Sequence, residues 1–163
     1  MDAELRGRIL MTLSARGLAS DADLEAMAAA DPVAGRQNAA TCRAMRPEAA
    51  AKEAAWIAAL SDSVEWPMAL ASARGVWVPG QEPLMGGYVE RYFTEALPAI
   101  DGREVRVMRN LARTLYPVGA VADPRGRLDG LSRALRVVVE EREEMTRWVL
   151  AARAAERRDG WLE

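Results

Sequence analysis

The chain has 163 residues, 50% of them apolar and 28% charged, with 22 basic and 24 acidic side chains for a net charge of −2. That is the make-up of one soluble globular domain with a real core, and it lacks the basic excess of a nucleic-acid binder. Histidine is absent and Cys42 is the single cysteine. Ser-His-Asp and Cys-His catalysis, histidine-based zinc sites such as H-E-x-x-H, and an internal disulfide are therefore impossible within this chain.

The spacing is helical throughout. Leu5, Ile9 and Leu13 fall one turn apart and predict a first helix over 2–16 with that face inward. Gly17 stops it, and Ser20 with Asp23 forms a capping box for a second helix. Asp31-Pro32 reads as a cap followed by a first-turn proline, opening a third helix to about Ala44. Pro47 opens a fourth, with Ala55, Trp56, Ala59 and Leu60 inward and Glu48 spaced to pair with Lys52, the only lysine, on the outside. A short helix follows from Pro67 to about Arg74.

Residues 77–93 read WVPGQEPLMGGYVERYF. Pro79-Gly80 suits the centre of a type II turn and Pro83 the start of a helix. Trp77, Pro79, Gly80, Gln81 and Glu82 are expected to form a structural corner, with the Trp77 ring packed into it. Leu84, Tyr88, Val89, Tyr92, Phe93, Ala96 and Leu97 stripe the next helix. Tyr88, Arg91 and Tyr92 are the candidates for a channel or interface, tyrosine and arginine being favoured there. Arg91 and Glu95 are spaced to pair.

Val105, Met108, Ala112 and Leu115 stripe another helix, and PVGAVADPRGRLDG (117–130) has the glycine and proline content of a loop. The last helix runs from about Leu131 to Arg158, with Leu131, Leu135, Val138, Met145, Val149 and Ala152 as its seam. EEREE (140–144) reads as a solvated face, and Trp56 and Trp148 as core. No alternating strand pattern persists. Prolines 32, 47, 67, 83 and 98 punctuate the helices, which predicts stacked antiparallel helical hairpins, a HEAT- or armadillo-like α-solenoid fragment. Residues 1–163 are read as one all-helical domain. No run reaches the roughly 18–20 apolar residues of a membrane span, MDAELRGRIL lacks a signal pattern, and a lone cysteine fits the cytoplasm.

Several segments together resemble one family. WVPGQEPLMGGYVERYF resembles the tryptophan-proline-glycine-glutamine-glutamate turn and the following helix near the end of bacterial aminopeptidase N, zinc metallopeptidases of the gluzincin clan, here of actinobacterial type. DPVAGRQNAATCRAMRP (31–47), RPEAAAKEAAW (46–56), LARTLYP (111–117) and MDAELRGRILMTLSARG are similar to neighbouring helices of the same proteins, in the same order. The resemblance covers roughly 2–117 and, more loosely, the terminal helix. It departs at 118–130, which is shorter, and at Gly86-Gly87, where helix formers are usual.

The resemblance implies that zinc, H-E-x-x-H and the substrate-amine motif lie on a separate thermolysin-like domain absent here. It thus implies no catalytic residue, metal ligand or cofactor in this chain, with Zn2+ belonging to the parent enzyme. The chain would be the non-catalytic C-terminal domain, a bowl of hairpins that closes over the active site and limits access for peptides. Its partners would be the catalytic domain of the same polypeptide and, through the parent, peptide substrates, with no nucleic acid or membrane. The alternative is a free-standing helical-repeat scaffold binding a protein or peptide.

Overall fold

The computed structural model describes residues 3–117 and 127–158. The loop expected over 117–130 lies mostly outside them. Every regular element among the described residues is helical: α1 (Ala3–Ala15), α2 (Asp21–Ala30), α3 (Ala34–Met45), α4 (Ala49–Leu60), α5 (Trp66–Arg74), α6 (Glu82–Arg91), a π-helical turn (Tyr92–Ala96), α7 (Leu97–Ile100), α8 (Val105–Leu115) and α9 (Arg133–Arg158). None of these is long and apolar enough to cross a membrane. The helices gather into two compact units, Met1–Tyr88 and Val89–Glu163, the division falling inside α6.

In the first unit α3 is the hub, packing against α1, α2, α4 and α5. The expected Ser20 box is present, whereas Asp31 does not cap α3: its N-cap is Val33, and Pro32 lies before the helix instead of in its first turn. Ser20 accepts from the Asp23 amide while the Asp23 carboxylate accepts from the Ser20 amide, and Asp31 accepts from the amides of Val33 and Ala34. These bonds hold both carboxyls below the usual range, through the Ser20 hydroxyl first for Asp23 and the Val33 amide first for Asp31. Gly7 faces Asn38, while Ala15 and Met45 share one donor; Thr41 donates to the Ala71 carbonyl at 2.8 Å, and Ala44 lies against Gly75. Residue numbers rise together in both pairings, so α1, α3 and α5 run parallel, side by side. Glycine is required at position 75, because an added Cβ would collide with the Ala44 side chain and the Thr41 carbonyl.

The inward face of α1 differs from the expected one. Gly7, Leu10 and Ser14 are buried, whereas Leu5 and Ile9 are 51% and 42% exposed. Two turns of spacing cannot distinguish these stripes; the packing of α1 on α3 decides between them. Lys52 is a second correction. It does not pair with Glu48 on the outside but is fully buried, its Nζ donating to Ala44 O at 2.8 Å and Gly75 O at 2.9 Å. Those two carbonyls lie at the C-terminal ends of α3 and α5, where helices run out of internal donors.

In the second unit Tyr92, Phe93, Leu97, Ile100, Met108, Leu111, Leu115, Leu135, Val138 and Val139 form the core. Pro98 does not end its helix, as its spacing suggested. It sits at the first turn of α7, just after the π-helical turn. The widened turn accommodates a residue with no N–H to donate backward. Along α9 the buried seam holds for Leu135 and Val138 but then rotates to Glu143 and Thr146, leaving Met145, Trp148 and Val149 exposed. Trp148 is therefore surface, not core. Glu143 is buried rather than part of a solvated face, because it lies on the same side of α9 as Val139 and Thr146.

Candidate functional site

The 77–82 segment is built around helix ends. Gln81 N–H donates to Val78 O at 3.1 Å, closing a turn with Pro79 and Gly80 at its centre. Gly80 has φ 86°, which a type II turn demands of its third residue. The Glu82 carboxylate accepts from the Gly80 amide at 2.9 Å, a bond that lowers its pKa. The buried Gln81 side chain donates from Nε2 to Ala15 O at 2.8 Å and to Met45 O at 3.0 Å, the last carbonyls of α1 and α3. Gln81 thus ties two parallel helix ends, as Lys52 ties the next pair, α3 and α5.

Trp77 is only half-buried, and the flanking Val76 and Val78 fill the core instead. The strength of the corner therefore resides in Gln81. Gln81→Leu is expected to lower unfolding stability by about 2–3 kcal/mol, since two buried carbonyls lose their donor. Trp77→Ala is expected to cost about 1–2 kcal/mol, below the range for a fully buried ring. Denaturant melts of the two variants check the order.

The three candidate interface residues occupy different settings. Tyr88 is buried, its ring 5.1 Å from that of Trp56 and its hydroxyl donating to Glu53 at 2.9 Å. Tyr92 is fully buried and donates to Ala112 O at 2.9 Å, with the rings of Phe93 and Tyr116 edge-on at 5.0 and 5.6 Å. Burial drives its phenol far above the usual range. Arg91 is partly exposed and pairs with Glu95 at 2.9 Å. The structure does not bring the three into one open cluster; the surface this trio offers is that of Arg91.

A groove missed by the sequence reading lies between α3, α4 and α5, with a volume of about 410 Å3. Its floor is alanine, including Ala44, Ala51 and Ala55, and Arg43, Arg46 and Glu48 stand along it. Arg46 is committed, donating to Ala19 O at 3.1 Å and pairing with Asp21 at 2.7 Å. Arg43 is exposed and is the cation the groove can offer to a ligand. The alanine run of α4 was the available signal, since such a helix leaves shallow space beside its neighbours.

Cys42 is fully buried, and burial pushes its thiol up, away from reactivity. Among the described residues no three His, Cys, Asp or Glu side chains converge as metal ligands would. Histidine is absent from the sequence, so no histidine-ligated zinc site can be built from this chain's own residues.

Taken together, these features define an all-helical protein whose adjacent helix ends are tied by buried side-chain donors, with a shallow groove beside them. Over 165 aligned residues the chain is 32% identical to the protein named Aminopeptidase N from Streptomyces lividans; the alignment takes in 96% of this chain but 19% of that protein. The chain thus spans about a fifth of the length of the relative it matches. No family model matches it.

Proposed function

We propose that this chain is a non-catalytic C-terminal domain of an aminopeptidase N-like zinc metallopeptidase, closing over an active site carried by another domain and limiting the peptides that reach it. The observation that carries this reading is the similarity along almost the whole chain to a fifth of one aminopeptidase. The absence of histidine supports the division of labour, because zinc and its ligands must then come from the catalytic part. The parallel row α1–α3–α5 supports a solenoid-like wall, in which successive helix pairs stack and present a continuous face. Peptide would meet that wall, and the catalytic domain of the same polypeptide would be its partner, in the cytoplasm.

The groove beside Arg43 favours a second reading, a helical scaffold that binds a peptide or protein segment without a catalytic partner. One experiment separates the two. The purified chain is added to a Streptomyces lividans aminopeptidase N shortened by the matching region, and kcat/KM is measured for a dipeptide and a longer peptide. The chain alone is expected to release no amino acid from an aminoacyl chromogenic substrate. In the mixture it is expected to bind and change the ratio of the two kcat/KM values. Chelator-sensitive hydrolysis by the chain alone, or no effect on the ratio, sinks the capping reading.

A further inference from the structure

We propose that the groove between α3, α4 and α5 is a binding site for a free α-amino acid with an aliphatic side chain. The inference concerns the groove of the second reading above but commits it to a small molecule instead of a chain segment, and it stands whether or not the capping reading does.

Three polar side chains at this groove lack a partner within the chain. Ser72 of α5 lines it and is 8% exposed, yet its hydroxyl makes no hydrogen bond among the described residues. A hydroxyl this buried is ordinarily satisfied by protein or by a bound molecule. Arg43 on α3 and Glu48 at the N-cap of α4 are exposed along the groove, and neither forms an ion pair or a side-chain hydrogen bond among the described residues. Opposite charges that flank one groove without pairing with each other suit a ligand that carries both signs.

The backbone adds donors. The first internal bond of α4 runs from Lys52 N to Glu48 O at 3.1 Å, so Ala50 and Ala51, which line the groove, begin this 12-residue helix with amides that have no internal acceptor. The Glu48 side chain does not cap them. Arg46 is already held by Ala19 O and Asp21, so the available cation is Arg43. A ligand carboxylate at this helix start accepts from the free amides, the Ser72 hydroxyl and the Arg43 guanidinium, charge-assisted bonds at a helix N-terminus. The ammonium one carbon away is left for Glu48. The floor of Ala44, Ala51 and Ala55 offers no hydrogen-bonding side chain and so takes an aliphatic one, and about 410 Å3 lies in the range of small-molecule sites. A longer peptide fits less well, because its backbone separates the two terminal charges and its amides meet only alanine.

The test is a titration of the isotope-labelled full chain with L-leucine, followed through amide chemical shifts, on wild type and on Arg43→Gln, Glu48→Gln and Ser72→Ala. Wild type is expected to show saturable shifts at Ala50, Ala51 and Ser72. Leucine is expected to bind about tenfold more weakly to Arg43→Gln and Glu48→Gln, and about threefold more weakly to Ser72→Ala. Leucinamide, which lacks the carboxylate, is expected to lose about tenfold against wild type. Isocaproate, which is leucine without its ammonium, supplies the deciding sign: Glu48→Gln is expected to weaken leucine but to tighten isocaproate, whereas a merely structural effect moves both the same way. Absence of saturable shifts up to the solubility of leucine overturns the proposal. So does leucinamide binding as tightly as leucine, or leucyl-leucine binding more tightly, which would make the occupant a peptide. Leucine and isocaproate moving together in Glu48→Gln overturns it as well.

Discussion

Truncating Trp56 to alanine is expected to lower the stability of the first unit by about 3–5 kcal/mol, the range for core aromatic truncations. Trp56 is 1% exposed and is the largest fully buried side chain among the described residues. Its ring packs at a 60° tilt against Tyr88, 5.1 Å between centroids, so the variant opens a cavity and also leaves one face of Tyr88 bare. The Tyr88 hydroxyl bond to Glu53 would then span an unsupported gap. Trp56→Phe refills much of the volume and is expected to recover over half of the loss. Chemical denaturation of the three proteins measures this, and a Trp56→Ala midpoint equal to wild type would show that the ring is not part of the core.

Replacing Lys52 with methionine is expected to cost about 2–4 kcal/mol, although methionine is apolar and similar in length. The cost arises because Ala44 O and Gly75 O, both buried and both at helix ends, lose their donor; each orphaned group costs about 1–3 kcal/mol. Relief from burying a charge offsets part of it. The same burial lowers the Lys52 pKa from 10.5 to about 8. Between those values the unfolded chain binds more protons than the folded one, so this group makes stability rise with pH through the window, by at most about 1.4 kcal/mol per pH unit. A neutral amine still has two hydrogens for two carbonyls, so the tie survives deprotonation. Tyr92 sets the upper limit: its raised pKa means that the unfolded chain loses its phenolic proton first, and stability falls once pH passes about 10. Melts of wild type and Lys52→Met from pH 7 to 10 should show the stability gap widening with pH. A gap that narrows would mean that Lys52 is not desolvated in the folded chain.

Much of this architecture could be read locally. The Ser20–Asp23 box, the Pro79-Gly80 turn and the Arg91–Glu95 pair all join residues within four positions of one another, and such bonds follow from residue type and spacing. Parts of the α6 and α8 stripes were legible for the same reason, Tyr88, Met108, Ala112 and Leu115 being buried, but Val105 is 54% exposed and Met85, not Leu84, is the buried residue at the start of α6.

What the sequence by itself determined was the all-helical class, most helix ends and the lack of histidine-based chemistry, because each depends on composition or on neighbours along the chain. Only the tertiary structure decided what the long polar side chains do. Lys52 looked like the outer half of an i,i+4 pair, and Gln81 like one polar residue in a turn. Each instead reaches two carbonyls from different helices, one of them 66 positions away from Gln81. A helix leaves its last carbonyls without partners wherever it ends, but which helix ends meet depends on packing. Packing likewise turned Leu5, Ile9 and Trp148 outward, where periodicity alone had placed them inside. A helix's apolar stripe is a property of its sequence, whereas the neighbour that covers it, or fails to, is a property of the fold.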